Sequence, residues 1–474
     1  MRLDVPASCP DSSPVTEFCT LAPKAPLPRQ YTSGPMSSCL LRYCSLAALA
    51  VAQVLAWAPA QAQAQASAEL GALTLALAEN LLARNNREIA LARRALEQSQ
   101  ADVLSAGQRP NPQLSLALQN INPNRGIGAG SLRGKTVDSI VRIDQLVERG
   151  DKLRLRIETA QRFEAAAGED VSEVARQQLL ALRSAYFDLL AAQEKAASSA
   201  EAARLFGRTV DAAQLRLKAG DLAAADVARI RVDALRAQND ARAAVAELAR
   251  VRVAISYLLG IEGDVAAMRA ISPWPKLQAA SLMHATEEEI EGRADVRAAR
   301  ARVDAADKAR ALAQSLRTRD VSVGAQYEHW PNQGDANNQG TGNSFGVALS
   351  IPLFLRHRYE GEIARAQADW YVARDILDQV RAQARAEVRR AAGELAAARE
   401  RLLRFESELL AEATRTATAA EFAFRNGAIG VMDLLDARRV LNSIQSDAAN
   451  ARADYAKALT AFDLGRGLLA YRTD

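Results

Sequence analysis

The chain has 474 residues, of which 49% are hydrophobic but only 5% aromatic, and its abundance of Ala, Leu, Arg, Gln and Glu suits long helices in close contact rather than a large aromatic core. Its formal charge of +4 arises from 60 basic and 56 acidic residues that alternate along the chain, which argues against nucleic acid as a partner. All four cysteines (Cys9, Cys19, Cys39, Cys44) precede residue 45, so the rest of the chain holds neither a disulfide nor a thiolate metal site.

Residues 1–35 are Pro-rich and without periodicity. They read as a pre-sequence, either an over-extended gene start or a disordered leader. Met36 then opens a second N-terminus: Arg42, an apolar run from Leu46 to Trp57, and the small residues Ala58-Pro59-Ala60. That order predicts a secretory signal peptide over 36–66, because the run is too short and wrongly flanked for a spanning helix. No small residues precede Cys39 or Cys44, so no lipid anchor is expected there.

After residue 66, proline occurs only at 110, 112, 123, 273, 275, 331 and 352, which leaves room for very long helices from 124 to 272 and from 353 onward. Helical periodicity over about Leu73–Ala106 ends at Gly107 and Pro110-Asn111-Pro112. Alternating Leu114, Leu116 and Leu118 then predict a strand, a Gly- and Asn-rich loop covers Asn120–Gly134, and a second strand lies around Ser139–Leu146. A helix of about 69 residues follows (Asp151–Ala219), broken at Gly220-Asp221, then another from Leu222 to Leu259. Ile271–Ser281, with Pro273-Trp274-Pro275, reads as a linker. The order then recurs: a helix over Glu287–Leu316, strands Val321–Tyr327 and Ser344–Leu353 around the loop Pro331–Asn343, a long helix Tyr359–Arg425 broken at Asn426-Gly427, and a last helix Met432–Gly465.

The recurrence has a fixed offset. Gly427 lies 207 residues after Gly220, and the same shift pairs Asp226 with Asp433, Lys218 with Arg425, Arg231 with Arg438 and Gly260 with Gly467. The expected domains are therefore a first repeat over 67–270 and a second over 282–474, joined by 271–281. The long helix measures ~100 Å at ~1.5 Å per residue, and the two shorter helices of each copy nearly match it end to end. Leu248, Val251, Ile255 and Leu258, and likewise Leu441, Ile444, Ala448, Ala451, Tyr455, Ala458 and Phe462, keep the 3-4-3 spacing of a coiled-coil seam.

The strands point to a membrane. Their lengths approach the ~9–11 residues of a tilted transmembrane strand, and they sit in a chain with an export signal and no spanning helix. Four strands cannot close a membrane barrel, and an open edge in lipid is costly. Several chains must then pool strands, and three copies give twelve. Two ordinary hairpins capping a soluble helical bundle are the alternative.

The doubled helix–strand–strand–helix–helix order and the paired turns Arg216-Leu217-Lys218-Ala219-Gly220 and Phe424-Arg425-Asn426-Gly427 resemble the TolC-type outer-membrane efflux proteins. So do Ala225-Asp226-Val227 and Met432-Asp433-Leu434 after those turns. The resemblance covers nearly all of the chain after residue 66. It implies a mainly α fold with a small β part: long antiparallel coiled-coil helices forming an α-barrel, and four strands per chain contributing to a trimeric twelve-stranded transmembrane β-barrel. It also implies a homotrimer in outer-membrane lipid, with a periplasmic adaptor and an inner-membrane pump of the resistance-nodulation-division type as partners. Within the family, Gln145-Leu146-Val147-Glu148-Arg149-Gly150-Asp151-Lys152 is similar to the Q-x-x-E-x-G-G-K-R turn of the cobalt–zinc–cadmium resistance branch, from which Asp151 departs at the second glycine. Ser350–Phe354 with Gly361–Ala366 is similar to its counterpart in the second copy. Metal cations are the cargo this implies, with multidrug efflux or type I protein secretion as alternatives, and a soluble periplasmic coiled-coil scaffold outside the family.

No catalytic constellation is visible. The three histidines (His284, His329, His357) are spread apart without a neighbouring carboxylate or serine arrangement, so neither an enzyme, a cofactor nor a metal site is expected. The resemblance places the periplasmic gate at the inter-helix turns. Asp226, Asp433 and Asp436 match carboxylate positions at that constriction, where threefold symmetry makes rings that favour cations. Capping of a helix N-terminus is the structural explanation of Asp226 and Asp433. Phe424 replaces an aromatic hydroxyl and Ile429 a basic residue, which implies a weaker or apolar latch. Lys218, Gly220, Arg425 and Gly427 are the implied adaptor contacts, although the glycines are also needed for a left-handed turn.

Overall fold

A computed structural model describes residues 71–121, 137–263, 265–277, 285–330 and 342–467. The expected pre-sequence and signal peptide (residues 1–66, with all four cysteines), His284 and most of both inter-strand loops lie outside the described residues.

The first repeat begins with α1 (Leu75–Asn85) and α2 (Arg87–Gly107), followed by β1 (Gln113–Gln119) and β2 (Asp138–Val147). The 67-residue α3 (Lys152–Lys218) and α4 (Ala224–Leu258) complete it. The second repeat contains α5 (Glu287–Glu291), α6 (Ala294–Ser315), β3 (Val321–Trp330), β4 (Gly342–Ser350), α7 (Glu360–Arg404), α8 (Leu410–Arg425) and α9 (Val431–Gly465). Gly220 (φ 84°) and Gly427 (φ 72°) end the two long helices in the same left-handed conformation. Asp221 N–H donates to Arg216 O and Ala428 N–H to Ala423 O, closing a Schellman turn at each site.

Three expected helices are interrupted. The first breaks at Asn86, whose side chain caps α2 by accepting from Ile89 N–H at 3.0 Å. Its counterpart breaks at Gly292-Arg293, and Asn86 and Arg293 are themselves 207 residues apart. The second long helix carries a π-helical turn, Phe405–Leu409, between α7 and α8.

The breaks are where the shorter helices meet end to end. Asn86 Nδ2 donates to Leu258 O at 2.9 Å, and Arg293 Nη1 donates to Gly465 O at 2.9 Å. Donor and acceptor both shift by 207, so the two copies close the same joint with different side chains. Gly260 fits because a Cβ there would meet Asn85 O at 2.4 Å. The expected seam is buried: Ile255, Leu441, Ala448, Ala451, Tyr455, Ala458 and Phe462 all lie in the core, with Leu248, Val251 and Leu258 packed at its edge. One cluster joins Leu82, Ile89, Leu182, Tyr186 and Ile255 of the first repeat to Ala449, Ala453 and Leu464 of α9. The linker docks on it, with Trp274 stacked on Phe187 and Ser272 N–H bonded to the Tyr186 hydroxyl.

The strands form one antiparallel sheet in the order β1-β2-β3-β4. The two copies therefore pair through β2 and β3, and β1 and β4 are its edges.

Candidate functional site

The sheet is inverted relative to a water-soluble one. Register aligns Leu116, Val141 and Tyr327 across β1–β3, and Ala325, Val347 and Ile143 likewise share one face. Leu114, Leu116, Leu118, Val323, Phe345, Val347 and Leu349 on that face are exposed, reaching 86% at Val347. The opposite face holds Ser115, Arg142, Asp144, Ser322, Gly324, Gln326, Gly346 and Ser350. There Arg142 Nε pairs with Asp144 at 2.7 Å, and a Cβ on Gly324 would strike Asp144 Oδ1 at 2.3 Å. A continuous apolar face of this size on a lone chain marks an interaction or membrane surface. At ~3.3 Å per residue and a tilt near 40°, ten residues give ~25 Å, the height of an outer-membrane apolar band. The Tyr327 and Phe345 rings meet in a tilted arrangement at 5.2 Å and Trp330 ends β3, so aromatics gather at the end of the sheet far from the helices.

At the opposite pole the turns Gly220 and Gly427 are exposed, with no heavy atom within 4 Å of the position a Cβ would take, and Lys218 and Arg425 are exposed beside them. Glycine is thus required there by φ alone. Asp226 and Asp433 both occupy the third position of their helices. Asp433 Oδ2 accepts from Gly430 N–H at 3.1 Å, as capping requires, but Asp226 makes no cap bond and faces Arg229 at 4.0 Å. Both aspartates lie in the first turn, at the positive end of the helix dipole, as expected; a side-chain capping bond forms only at Asp433, because at the other tip Ala223, which has no side-chain acceptor, stands at the cap position.

Asp436 does not stand alone. Arg439 Nη1 meets it at 2.7 Å, while Arg439 Nη2 meets Asp233 of α4 at 3.1 Å. Asp233 is buried to 9% exposure, so this cation bridges the two repeats just above the turns. Arg438 adds an ion pair with Glu421 across α8 and α9. Phe424 is half-buried and lines an apolar cavity of about 330 Å³ with Phe206, Leu222, Val431 and Leu435. Ile429 is half-buried in the same turn. Leu435 also packs with Phe206, Val227 and Ile230, which fastens the tips of the two repeats together.

Among the described residues no three of His, Cys, Asp and Glu gather as a metal-ligand set. His329 is buried at the end of β3 beside Asn343 Oδ1 at 2.8 Å. His357 corrects the sequence reading: its Nε2 lies 3.2 Å from Glu362 and its ring 4.6 Å from that of Tyr359. No described helix is long and apolar enough to cross a membrane.

Residues 285–464 match the model of the Outer membrane efflux protein family. Across both repeats, the chain is 26% identical over 375 residues to the cobalt-zinc-cadmium resistance protein CzcC of Cupriavidus metallidurans, covering 78% of this chain and 84% of that protein. The chain is thus similar to the outer membrane efflux protein family over its second repeat and to CzcC over both repeats. Its fold is that of solved outer-membrane proteins: VceC of Vibrio cholerae (TM-score 0.65, 19% identity, 83% of this chain and 96% of that one) and the CmeC outer membrane channel of Campylobacter jejuni (TM-score 0.70, 15% identity, 83% and 85%).

In this chain, the polar residues of the Gln145–Lys152 segment are staples at the strand–helix junction. Gln145 Nε2 donates to Pro110 O at 2.9 Å, Glu148 pairs with Arg156 at 2.7 Å, and the buried Lys152 reaches Asp320 at 2.8 Å and Thr318 O at 2.7 Å. Gly150 (φ 74°) and Asp151 (φ 59°) are both left-handed, which accounts for paired glycines in the similar turn and for Asp, a residue that tolerates this region, as the replacement. Asp233 and Arg439 escaped the sequence reading. The available signal was a charge mismatch between copies, since the 207-residue shift pairs Asp233 with Val440 and Val232 with Arg439.

Proposed function

We propose that three copies of this chain close a twelve-stranded barrel, edge strand β1 of one against β4 of the next, to form the outer-membrane exit duct of a tripartite efflux system. The observation that carries this reading is the sheet whose apolar face is exposed while both edges are unpaired among the described residues. Unpaired backbone in lipid costs several kcal/mol per group, so closure by other copies is the economical arrangement. An adaptor docks at Lys218, Gly220, Arg425 and Gly427, and an inner-membrane pump of the resistance-nodulation-division type loads the duct, which conducts passively. Metal cations are the cargo, supported by the similarity to CzcC over 84% of that protein. A deletion strain should lose growth on zinc, cadmium or cobalt and keep it on dyes. Loss on dyes with unchanged metal tolerance would assign the duct to a multidrug pump.

The gate in this reading lies at the second repeat's tip. Asp226 and Asp433 supply carboxylates at the helix starts, Phe424 and Ile429 give the apolar contacts, and Asp436 is held by Arg439. The Arg439 bridge to Asp233 replaces the polar latch that Phe424 and Ile429 lack. Arg439→Ala leaves the buried Asp233 without this cation, so planar-bilayer conductance should rise above wild type as the tips separate. Asp433→Ala with Asp436→Ala should instead weaken block by divalent cations. Unchanged currents in both variants would remove these residues from gating.

A further inference from the structure

We propose that a row of arginines at the helix end of the sheet binds the phosphate headgroups of anionic phospholipids in the periplasmic leaflet of the outer membrane. This inference rests on the sheet spanning that membrane. β1 and β3 begin at this end, and β2 and β4 finish there. Six exposed arginines flank those strand ends: Arg109 before β1, Arg149 after β2, Arg317 and Arg319 before β3, and Arg356 and Arg358 after β4. Four nearby carboxylates are engaged elsewhere, Glu148 with Arg156, Asp151 with Arg154, Asp320 with Lys152 and Glu362 with His357, while the exposed Glu360 at the start of α7 makes no ion pair with any of the six. None of the six guanidiniums is ion-paired with a described carboxylate. Many other exposed arginines among the described residues are also without an ion pair, so what sets these six apart is that they lie together at one level of the sheet beside its apolar face, an arrangement that suits an external anion.

The row continues the lipid-facing surface. Beyond β4, exposed Ile351, Leu353 and Leu355 extend the apolar face and lead directly into Arg356, His357 and Arg358, while Arg319 lies over the Phe354 ring at 5.5 Å. Aliphatic side chains beside guanidiniums match acyl chain beside phosphate, and arginine forks suit phosphate oxygens. The two copies differ here. The first passes from Val147 to Lys152 through Glu148, Arg149, Gly150 and Asp151, whereas the second uses residues 351–359 with three basic side chains and no acid. The second copy's connection is therefore the main contact.

Native mass spectrometry of the full chain, purified from the outer-membrane fraction and titrated with phosphatidylglycerol, phosphatidylethanolamine or inorganic phosphate, tests this. Phosphatidylglycerol should bind preferentially. At roughly fivefold in affinity per arginine near a charged surface, Arg356→Gln with Arg358→Gln should weaken it by roughly tenfold or more. The charge-keeping pair Arg356→Lys and Arg358→Lys should retain most of the binding and shows that the site is intact. Equal binding of phosphatidylethanolamine, equal binding by the Gln variant, or full competition by inorganic phosphate overturns the lipid assignment. An acidic protein co-purifying in place of lipid, lost in the Gln variant, overturns it as well. Absence of the wild-type chain from the outer-membrane fraction would instead defeat the exit-duct reading before any lipid is added.

Discussion

Val347→Arg should abolish the proposed trimer and deplete the protein from the outer membrane, although it replaces the most exposed valine of the sheet. In a water-soluble hairpin, an exposed valine could become arginine at a cost within about 0.5 kcal/mol. On the lipid face of a membrane barrel, arginine near the midplane costs ~2–4 kcal/mol, and a symmetric trimer incurs that cost three times. Val347 sits in mid-strand, opposite Ala325 and on the face shared with Leu349 and Phe345. Gln326→Arg is the matched control on the other face, where Arg142 and Asp144 already lie. Its effect should stay small. Heat-modifiability on semi-native gels reads both variants.

Arg293→Ala should be the most damaging change within the helical part, at about 3–5 kcal/mol. Arg293 is 1% exposed, and its guanidinium holds Asp295 at 2.7 Å, Glu387 at 2.9 Å and Gly465 O at 2.9 Å. Burial works against its charge, but the two carboxylates outweigh it and raise the pKa well above the ordinary arginine value, so the side chain is cationic at every accessible pH. Removing it strands two carboxylates and the carbonyl at the end of α9. Arg293→Asn should cost less than Arg293→Ala, because Asn86 makes the same joint to Leu258 O in the first repeat. Far-UV circular dichroism during chemical denaturation measures the order of the three midpoints. Equal losses for Asn and Ala would show that the ion pairs alone hold the joint.

These two sites also mark what the sequence discloses. The turns were legible because Gly220 and Gly427 answer a backbone requirement that few other residues meet, and the seam because burial imposes its spacing. Strand alternation separated two faces at once. It could not say which face points outward, since alternation is identical for an inside-out sheet; the exposure of Leu114, Leu116, Val347 and Leu349 in the structure supplies that. The joints were hidden because helical periodicity runs straight through Asn86 and Arg293, where a single cap or buried cation breaks the helix without proline. The π turn at Phe405–Leu409 was equally unmarked. At the tip, the acidic positions Asp433 and Asp436 were legible through the resemblance. The bridge from Arg439 to Asp233 was not, because it joins residues 206 apart that have no equivalent in the other copy.

In the proposed duct, one face of the sheet meets lipid and the other an aqueous lumen. Since no cysteine follows Cys44, an introduced thiol is the only one in residues 45–474, and the double replacement Cys39→Ser with Cys44→Ser serves as the labelling background. Intact cells carrying Val347→Cys or Ala348→Cys, adjacent residues on opposite faces, are treated with a membrane-impermeant maleimide. Ala348→Cys should label through the lumen and Val347→Cys should not. Equal labelling of the two, or labelling of Val347→Cys alone, would contradict this arrangement.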